Sequence, residues 1–257
     1  MTDKPNSEEM NAALAQAAKY LSGAKRVAVL TGAGISAESG ISTFRDQGGL
    51  WEGHSVEEVA TPQGFARNPE LVWKFYNARR DNLAQAQPNP GHVALAKLEK
   101  RFGQDNFAII TQNVDGLHRA AGSRTVWELH GSLKRIRCTG ADCSYVEDRA
   151  DKLPDMPKCD SCGELLRPDV VWFGEILPQD IWFNADQFSR SCDCFLVIGT
   201  SAVVWPAAGL IVLAKAHGAK VLEFNLTRTE ASSQVDVGLY GPSGQLLPLV
   251  VARMEGG

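Results

Sequence analysis

Four cysteines and one histidine are the side chains here whose types and spacing bear most directly on chemistry. Four residues separate Cys138 from Cys143 and two separate Cys159 from Cys162, with fifteen residues between the pairs. Two close pairs on turns can supply a tetrahedron of thiolates, and this is zinc-ribbon spacing. Four protein ligands leave no open position, so a metal held there is structural and not catalytic. Disulfide pairing is the competing reading, and a reducing compartment disfavours it. His130, ahead of the first cysteine, has a side chain that titrates near neutrality and so suits a general base. The same position would also suit a histidine that caps a loop before the cysteine segment.

Polar and small residues follow four short apolar runs. Arg26–Leu30 leads into Thr31-Gly-Ala-Gly34, and Phe107–Ile110 into Thr111-Gln-Asn-Val-Asp115. Cys194–Ile198 leads into Gly199-Thr-Ser201, and Lys220–Phe224 into Asn225-Leu-Thr227. Apolar runs alternating with helical patterns predict an α/β fold, a parallel sheet with helices on both faces. Ligands of such sheets sit at the carboxyl ends of the strands, so the four polar ends predict one cleft. Gly32-Ala-Gly34-Ile-Ser36-Ala37 fits Gly-x-Gly-x-x-Ala between a strand and a helical pattern. That arrangement lets backbone approach a pyrophosphate, and it also serves a plain tight turn. The acidic residue that ends a second strand in dehydrogenases is missing, so hydride transfer fits poorly.

The elements that must position these residues are partly legible. A helix is predicted from about Ser7 to Leu21, with Leu14, Ala17, Ala18 and Leu21 buried. Another starts at Pro69 with Asn68 as N-cap, and Gly241–Gly257 is expected to pack as a final helix. The cysteine segment has little apolar content and needs a staple. Cys192 and Cys194 read as ordinary small residues beside a strand. The chain has 257 residues, 44% hydrophobic and 22% charged, with formal net charge −4. No run of Lys or Arg beyond the short Lys134–Arg137 suggests nucleic-acid binding. No apolar stretch reaches the roughly 20 residues of a membrane span. The polar first ten residues lack a signal-peptide core, so a cytoplasmic protein is expected.

Six segments in order resemble the sirtuins, over roughly residues 20–240. They are Gly32–Asp46, Gln112–His118, His130-Gly131, Val171-Trp-Phe-Gly-Glu175, Gly199–Ser201 and Asn225–Thr227. One departure is Ser42, where many relatives have proline, which bears on loop rigidity. The resemblance implies a catalytic domain over 10–257: a Rossmann-like core (10–50, 88–133, 165–257), a helical insert (51–87) and a zinc-ribbon module (134–164). It implies NAD as co-substrate, one structural Zn²⁺, and NAD-dependent removal of acyl groups from protein lysines. The acyl oxygen attacks C1′ of the nicotinamide ribose, which demands close in-line placement. His130 would deprotonate a ribose hydroxyl, and Asn113 would position the ribose and a water. Asp115 would accept from the nicotinamide carboxamide, although Asn-x-Asp-Gly is also good turn chemistry.

By the same resemblance Gly32, Ala33, Gly34, Ser36, Ala37, Trp51 and Gln112 contact NAD, and Phe44 and Arg45 cover its ribose and phosphates. Arg45 could equally form a surface ion pair. Gly199, Thr200, Ser201, Asn225, Leu226 and Thr227 would take the adenosine half. Val171, Phe173 and Gly174, with Val203 and Val204, would flank an extended acyl-lysine peptide, or simply close the core. Tyr76 and Arg79 are three apart on a predicted helix and can face one target. A phenol and a guanidinium together suit a carboxylate. With the small Ala60, the pair resembles sirtuins that remove succinyl and malonyl groups. The plainer alternative is an exposed Arg79 above a packed Tyr76. Two rival functions are ADP-ribosyl transfer to protein and a non-catalytic nucleotide or zinc module. A monomer without nucleic-acid partners is expected.

Overall fold

The computed structural model describes residues 7–42, 50–51 and 53–256, with backbone only at Leu50 and Trp51. The first helix, α1 (Ser7–Gly23), buries Leu14, Ala17, Ala18 and Leu21, as its spacing predicts. After β1 (Val27–Thr31) come two single 3₁₀ turns, Ala33–Ile35 and Ala37–Ser39. The helix expected behind the glycine loop is replaced by these turns. Gly40, at φ 81°, takes a left-handed conformation that ends the second one. The strands β2 (Leu50–Trp51) and β3 (His54–Ser55) form a small hairpin. Next are α2 (Val56–Val59), α3 (Pro62–Arg67), α4 (Pro69–Gln85) and α5 (Pro90–Phe102).

The chain continues through β4 (Phe107–Thr111), α6 (Leu117–Ala120) and β5 (Val126–Glu128). The cysteine segment contributes β6 (Gly131–Cys138), β7 (Val146–Asp148) and β8 (Leu166–Val170). Then follow α7 (Gln179–Ser191), β9 (Cys194–Ile198), α8 (Gly209–Ala216) and β10 (Lys220–Asn225). The strand β11 (Val237–Tyr240) and the helix α9 (Ser243–Glu255) complete the fold.

Six strands make one parallel sheet in the order β11-β10-β9-β1-β4-β5. The chain runs outward from β1 through β4 and β5, then returns to β9 on the other side. The order therefore reverses at β1, the place where such sheets open a crevice. Alternate residues of each strand enter opposite cores. Val27, Val29, Ile109, Leu196 and Leu222 pack under α1, α5 and α9, while Ala28, Leu30, Ile110, Phe195 and Val197 pack under α7 and α8. Fully apolar strands are explained by this two-sided burial.

A third core joins α2, α3 and α4 to the antiparallel sheet β7-β6-β8, through Val59, Phe65, Trp73, Ile136 and Leu166. Asn68 caps α4 as expected, its side chain accepting from the Leu71 amide at 3.0 Å. Among the described residues no helix is long and apolar enough to cross a membrane.

Candidate active site

The four polar strand ends meet in one cavity of about 1210 Å³. Gly32, Ala33 and Gly34 leave β1; Gln112, Asn113 and Asp115 leave β4; Gly199, Thr200 and Ser201 leave β9; Asn225, Leu226 and Thr227 leave β10. His130, Ala60, Tyr76, Arg79, Val171, Phe173 and Gly174 line the same space. Phe44 and Arg45, and the side chain of Trp51, lie outside the described residues.

Two other expected cofactor residues are placed differently. Ser36 is fully buried beneath the cleft, and Ala37 borders a separate small pocket behind it.

The glycines answer first to the protein. A Cβ on Gly32 would lie 2.8 Å from the Gly199 carbonyl oxygen, and one on Gly34 would lie 2.7 Å from the Gly199 Cα. Gly199 itself sits at φ 58°, and its Cβ would come within 2.2 Å of the Ile35 nitrogen. The turns after β1 and β9 thus cross in backbone contact, with the Gly34 amide donating to the Gly199 carbonyl at 2.7 Å. Only residues without side chains permit that crossing.

Beneath the loop a buried polar chain holds the β4 residues. The Asn89 amide donates to His92 Nδ1 at 3.3 Å, which places the ring proton on Nε2, 3.4 Å from the Ser36 hydroxyl. Ser36 Oγ donates to Asp115 Oδ2 at 2.8 Å, and the Leu117 amide donates to Oδ1 at 2.8 Å. Asn113 Nδ2 donates to the Gly32 carbonyl at 3.1 Å and to Ser36 Oγ at 3.2 Å. Ser36 therefore fixes both Asn113 and Asp115 from below. Beside it, Thr31 Oγ1 donates to Thr111 Oγ1 at 2.8 Å and lies 2.9 Å from His118 Nε2. Burial holds the His118 and His92 pKa values below the usual imidazole range. His92 was not foreseen, and His118, though it closes the Gln112–His118 motif, was given no role; a histidine in sequence gives no sign of burial.

His130 Nδ1 lies 3.1 Å from the Gln112 carbonyl oxygen. A carbonyl only accepts, so Nδ1 carries the proton and the lone pair falls on Nε2. Burial lowers the pKa against the opposing pull of the carbonyl. At neutral pH the ring is therefore the uncharged, proton-accepting form that a general base requires.

One end of the cleft is built on α4. Tyr76 is 1% exposed and accepts a hydrogen bond from Trp172 Nε1 at 2.9 Å. Indole N–H can only donate, so the phenol keeps its own proton to offer. Burial raises the Tyr76 pKa, the charge of Arg79 opposing it, which keeps the phenol protonated. The Arg79 guanidinium carbon stands 5.7 Å from the Tyr76 ring centre. Ala60 is 2% exposed, and its carbonyl accepts from the Phe173 amide at 3.0 Å. Trp172 lies inside the Val171–Glu175 segment expected to flank the peptide but was given no role of its own. Its ring stacks under the Arg167 guanidinium at 3.4 Å. Arg167 in turn pairs with Glu175 through contacts of 2.6 and 2.9 Å. Glu175 Oε2 also accepts the Trp172 amide at 2.8 Å, so this ion pair props the whole segment from Val171 to Glu175.

Away from the cleft, the four sulfurs of Cys138, Cys143, Cys159 and Cys162 lie within 4.8 Å of one another. Contacts of 3.4 Å (Cys138–Cys162) and 3.8 Å (Cys143–Cys159) interleave the two pairs. Zinc–sulfur bonds of about 2.3 Å in a tetrahedron put sulfurs about 3.8 Å apart, so the donor set fits a structural Zn²⁺. The metal would serve as a staple and take no part at the cleft. Cys192 and Cys194 are buried at the start of β9.

Comparison with known proteins agrees with this geometry. Residues 32–206 match the Sir2 family. The NAD-dependent protein deacylase 2 of Pyrobaculum aerophilum is 48% identical over 239 residues, covering 93% of this chain and 94% of that protein. The crystal structure of a Sir2 homolog–NAD complex superposes with a TM-score of 0.87 at 42% identity, covering 100% and 96% of the two chains. Sir2Af2 bound to a myristoylated histone peptide gives 0.78 at 38% identity, covering 96% and 98%. The parallel sheet reversing at β1, the His130 cleft and these likenesses over nearly all its length agree: the chain belongs to the Sir2 family.

Proposed function

We propose that this protein is an NAD-dependent protein-lysine deacylase whose preferred acyl groups, succinyl and malonyl, end in a carboxylate. One observation carries the acyl preference: Tyr76 and Arg79 line the same wall of the cleft, a phenol with a proton to give beside a guanidinium. An acetyl group would use neither. Deacylation is supported by the name of the Pyrobaculum relative and by the acylated peptide held by Sir2Af2.

In this reading NAD lies along the four strand ends. Gly32, Ala33, Gly34, Gln112, Thr200 and Ser201 border its middle, Asn225, Leu226 and Thr227 its adenosine, and Asp115 its carboxamide. Ser36 and Ala37 act from behind the loop. Asn113 orients the ribose, and His130 Nε2 takes a proton from a ribose hydroxyl. The acyl-lysine peptide runs along Val171, Phe173 and Gly174 above Ala60. The enzyme works as a cytoplasmic monomer on protein lysines, without nucleic acid.

The test is one peptide carrying acetyl-, malonyl- or succinyl-lysine, incubated with NAD and followed by product mass. Nicotinamide and 2′-O-acyl-ADP-ribose, fastest from the acidic acyl groups, are expected. ADP-ribose attached to protein would favour transfer instead, and no turnover of NAD would leave a non-catalytic module.

A further inference from the structure

The helix α4 has two working faces. Tyr76, Arg79 and Leu83 line the cleft. The other face carries Trp73, Asn77 and Arg80, spaced by four and three residues and buried at 0, 3 and 3% exposure. All three bond backbone of the cysteine segment. Trp73 Nε1 donates to the Leu166 carbonyl at 2.9 Å. Asn77 Nδ2 donates to the Leu153 carbonyl at 2.8 Å, and the Leu153 amide returns a bond to Asn77 Oδ1 at 3.4 Å. Arg80 Nη2 donates to the Asp151 carbonyl at 2.9 Å.

These acceptors lie on both sides of the second cysteine pair in the chain: Asp151 and Leu153 before Cys159, Leu166 after Cys162. The sulfurs of Cys159 and Cys162 cluster with those of Cys138 and Cys143, so a bound ion would tie down the stretch that carries all three acceptors. Arg80 adds a second sign. Its Nε and Nη1 are buried and have no partner among the described residues. A guanidinium buried on so few contacts is costly, and an apolar residue would pack that face more cheaply. Its one clear bond ties the helix to the segment.

We infer that Asn77 and Arg80 are positioning residues for acyl recognition, registering α4 on the four-cysteine module so that the metal site sets where Tyr76 and Arg79 stand. The inference rests on the reading of Tyr76 and Arg79 as acyl-binding. Cofactor binding should be insulated from it, because the strand ends hang on the parallel sheet and its two cores.

The experiment uses the full chain loaded with zinc. A fluorescent succinyl-lysine peptide is titrated by anisotropy without NAD, and ADP-ribose by calorimetry, for the wild type, Asn77→Ala, Arg80→Met and Arg79→Met. Loss of a buried hydrogen bond on the far face should raise the peptide Kd about five- to tenfold. The ADP-ribose Kd should stay within about twofold. Partial chelation of the wild type should give the same split, so the test survives a variant that fails to fold. Equal weakening of both ligands, or of neither, in Asn77→Ala and Arg80→Met overturns the inference. If Arg79→Met itself leaves peptide affinity unchanged, the acyl reading has failed. If Arg79→Met weakens the peptide while the far-face variants do not, only the positioning role has failed.

Discussion

Replacing Arg79 by methionine removes a charge from the cleft wall while keeping the length and most of the apolar stem. Arg79 is half-buried and lines the cleft. A carboxylate at about 4 Å from it, in surroundings of effective dielectric about 20, would gain about 4 kcal/mol of Coulomb energy. Part of that is offset by taking the carboxylate out of water, while charge-assisted bonds to one ionic partner are worth about 1.5–3 kcal/mol each. A net loss of about 3 kcal/mol is therefore expected for succinyl-lysine, or about 150-fold in kcat/KM. Acetyl-lysine has no charge to lose and should change less than about threefold. The assay is kcat/KM for one peptide bearing acetyl, malonyl or succinyl groups, wild type against Arg79→Met. Succinyl and malonyl activities falling together toward the acetyl rate is the expected pattern. An equal loss for all three groups, or an untouched succinyl rate, would refute carboxylate recognition by Arg79.

Two further outcomes follow from the site. Because burial lowers the His130 pKa, and in the proposed reading the unprotonated ring is the active form, the acid limb of kcat/KM should lie below the ordinary histidine value of about 6.5. It should vanish in His130→Ala, which is expected to lose at least about a hundredfold in rate; a limb above 6.5 would contradict the assignment. Glu175→Gln breaks a mostly buried ion pair with Arg167 and should destabilise by about 3–5 kcal/mol, on the order of 10 °C in Tm. Burial pushes the Glu175 carboxyl up, but its bonds from Arg167 and the Trp172 amide outweigh this and hold it below the usual glutamate value. Its contribution is thus present above about pH 4.5 and lost as pH falls through the lowered pKa. Thermal melts of the two proteins should converge in acid.

Much of the active site was legible because chemistry clusters at strand ends. A buried parallel strand shows itself as an apolar run, and the polar residues after it mark the cleft edge without knowledge of the fold. The cysteine spacing and the Asn68-Pro69 helix start were equally local. What escaped depends on contacts distant in sequence. The edge strands Val126–Glu128 and Val237–Tyr240 are too short for a periodicity. Ser36 looks like a ligand-facing loop residue, and its burial under Asp115 follows from a helix 56 residues away through His92. Trp172 reads as one apolar residue among several until its indole meets Tyr76, 96 positions earlier. Asn77 and Arg80 show no local sign of burial, since nothing nearby in sequence tells of a cysteine module packed against them.

The crossing of Gly32 and Gly34 over Gly199 separates heredity from activity. Each of the three is held in place by the others, so none can acquire a side chain without displacing a neighbouring turn. A descendant of this protein that had lost His130 would still need all three for the two turns to cross. The glycine signature thus reports on how the two turns pack, and the chemistry of the cleft has to be read from its other residues.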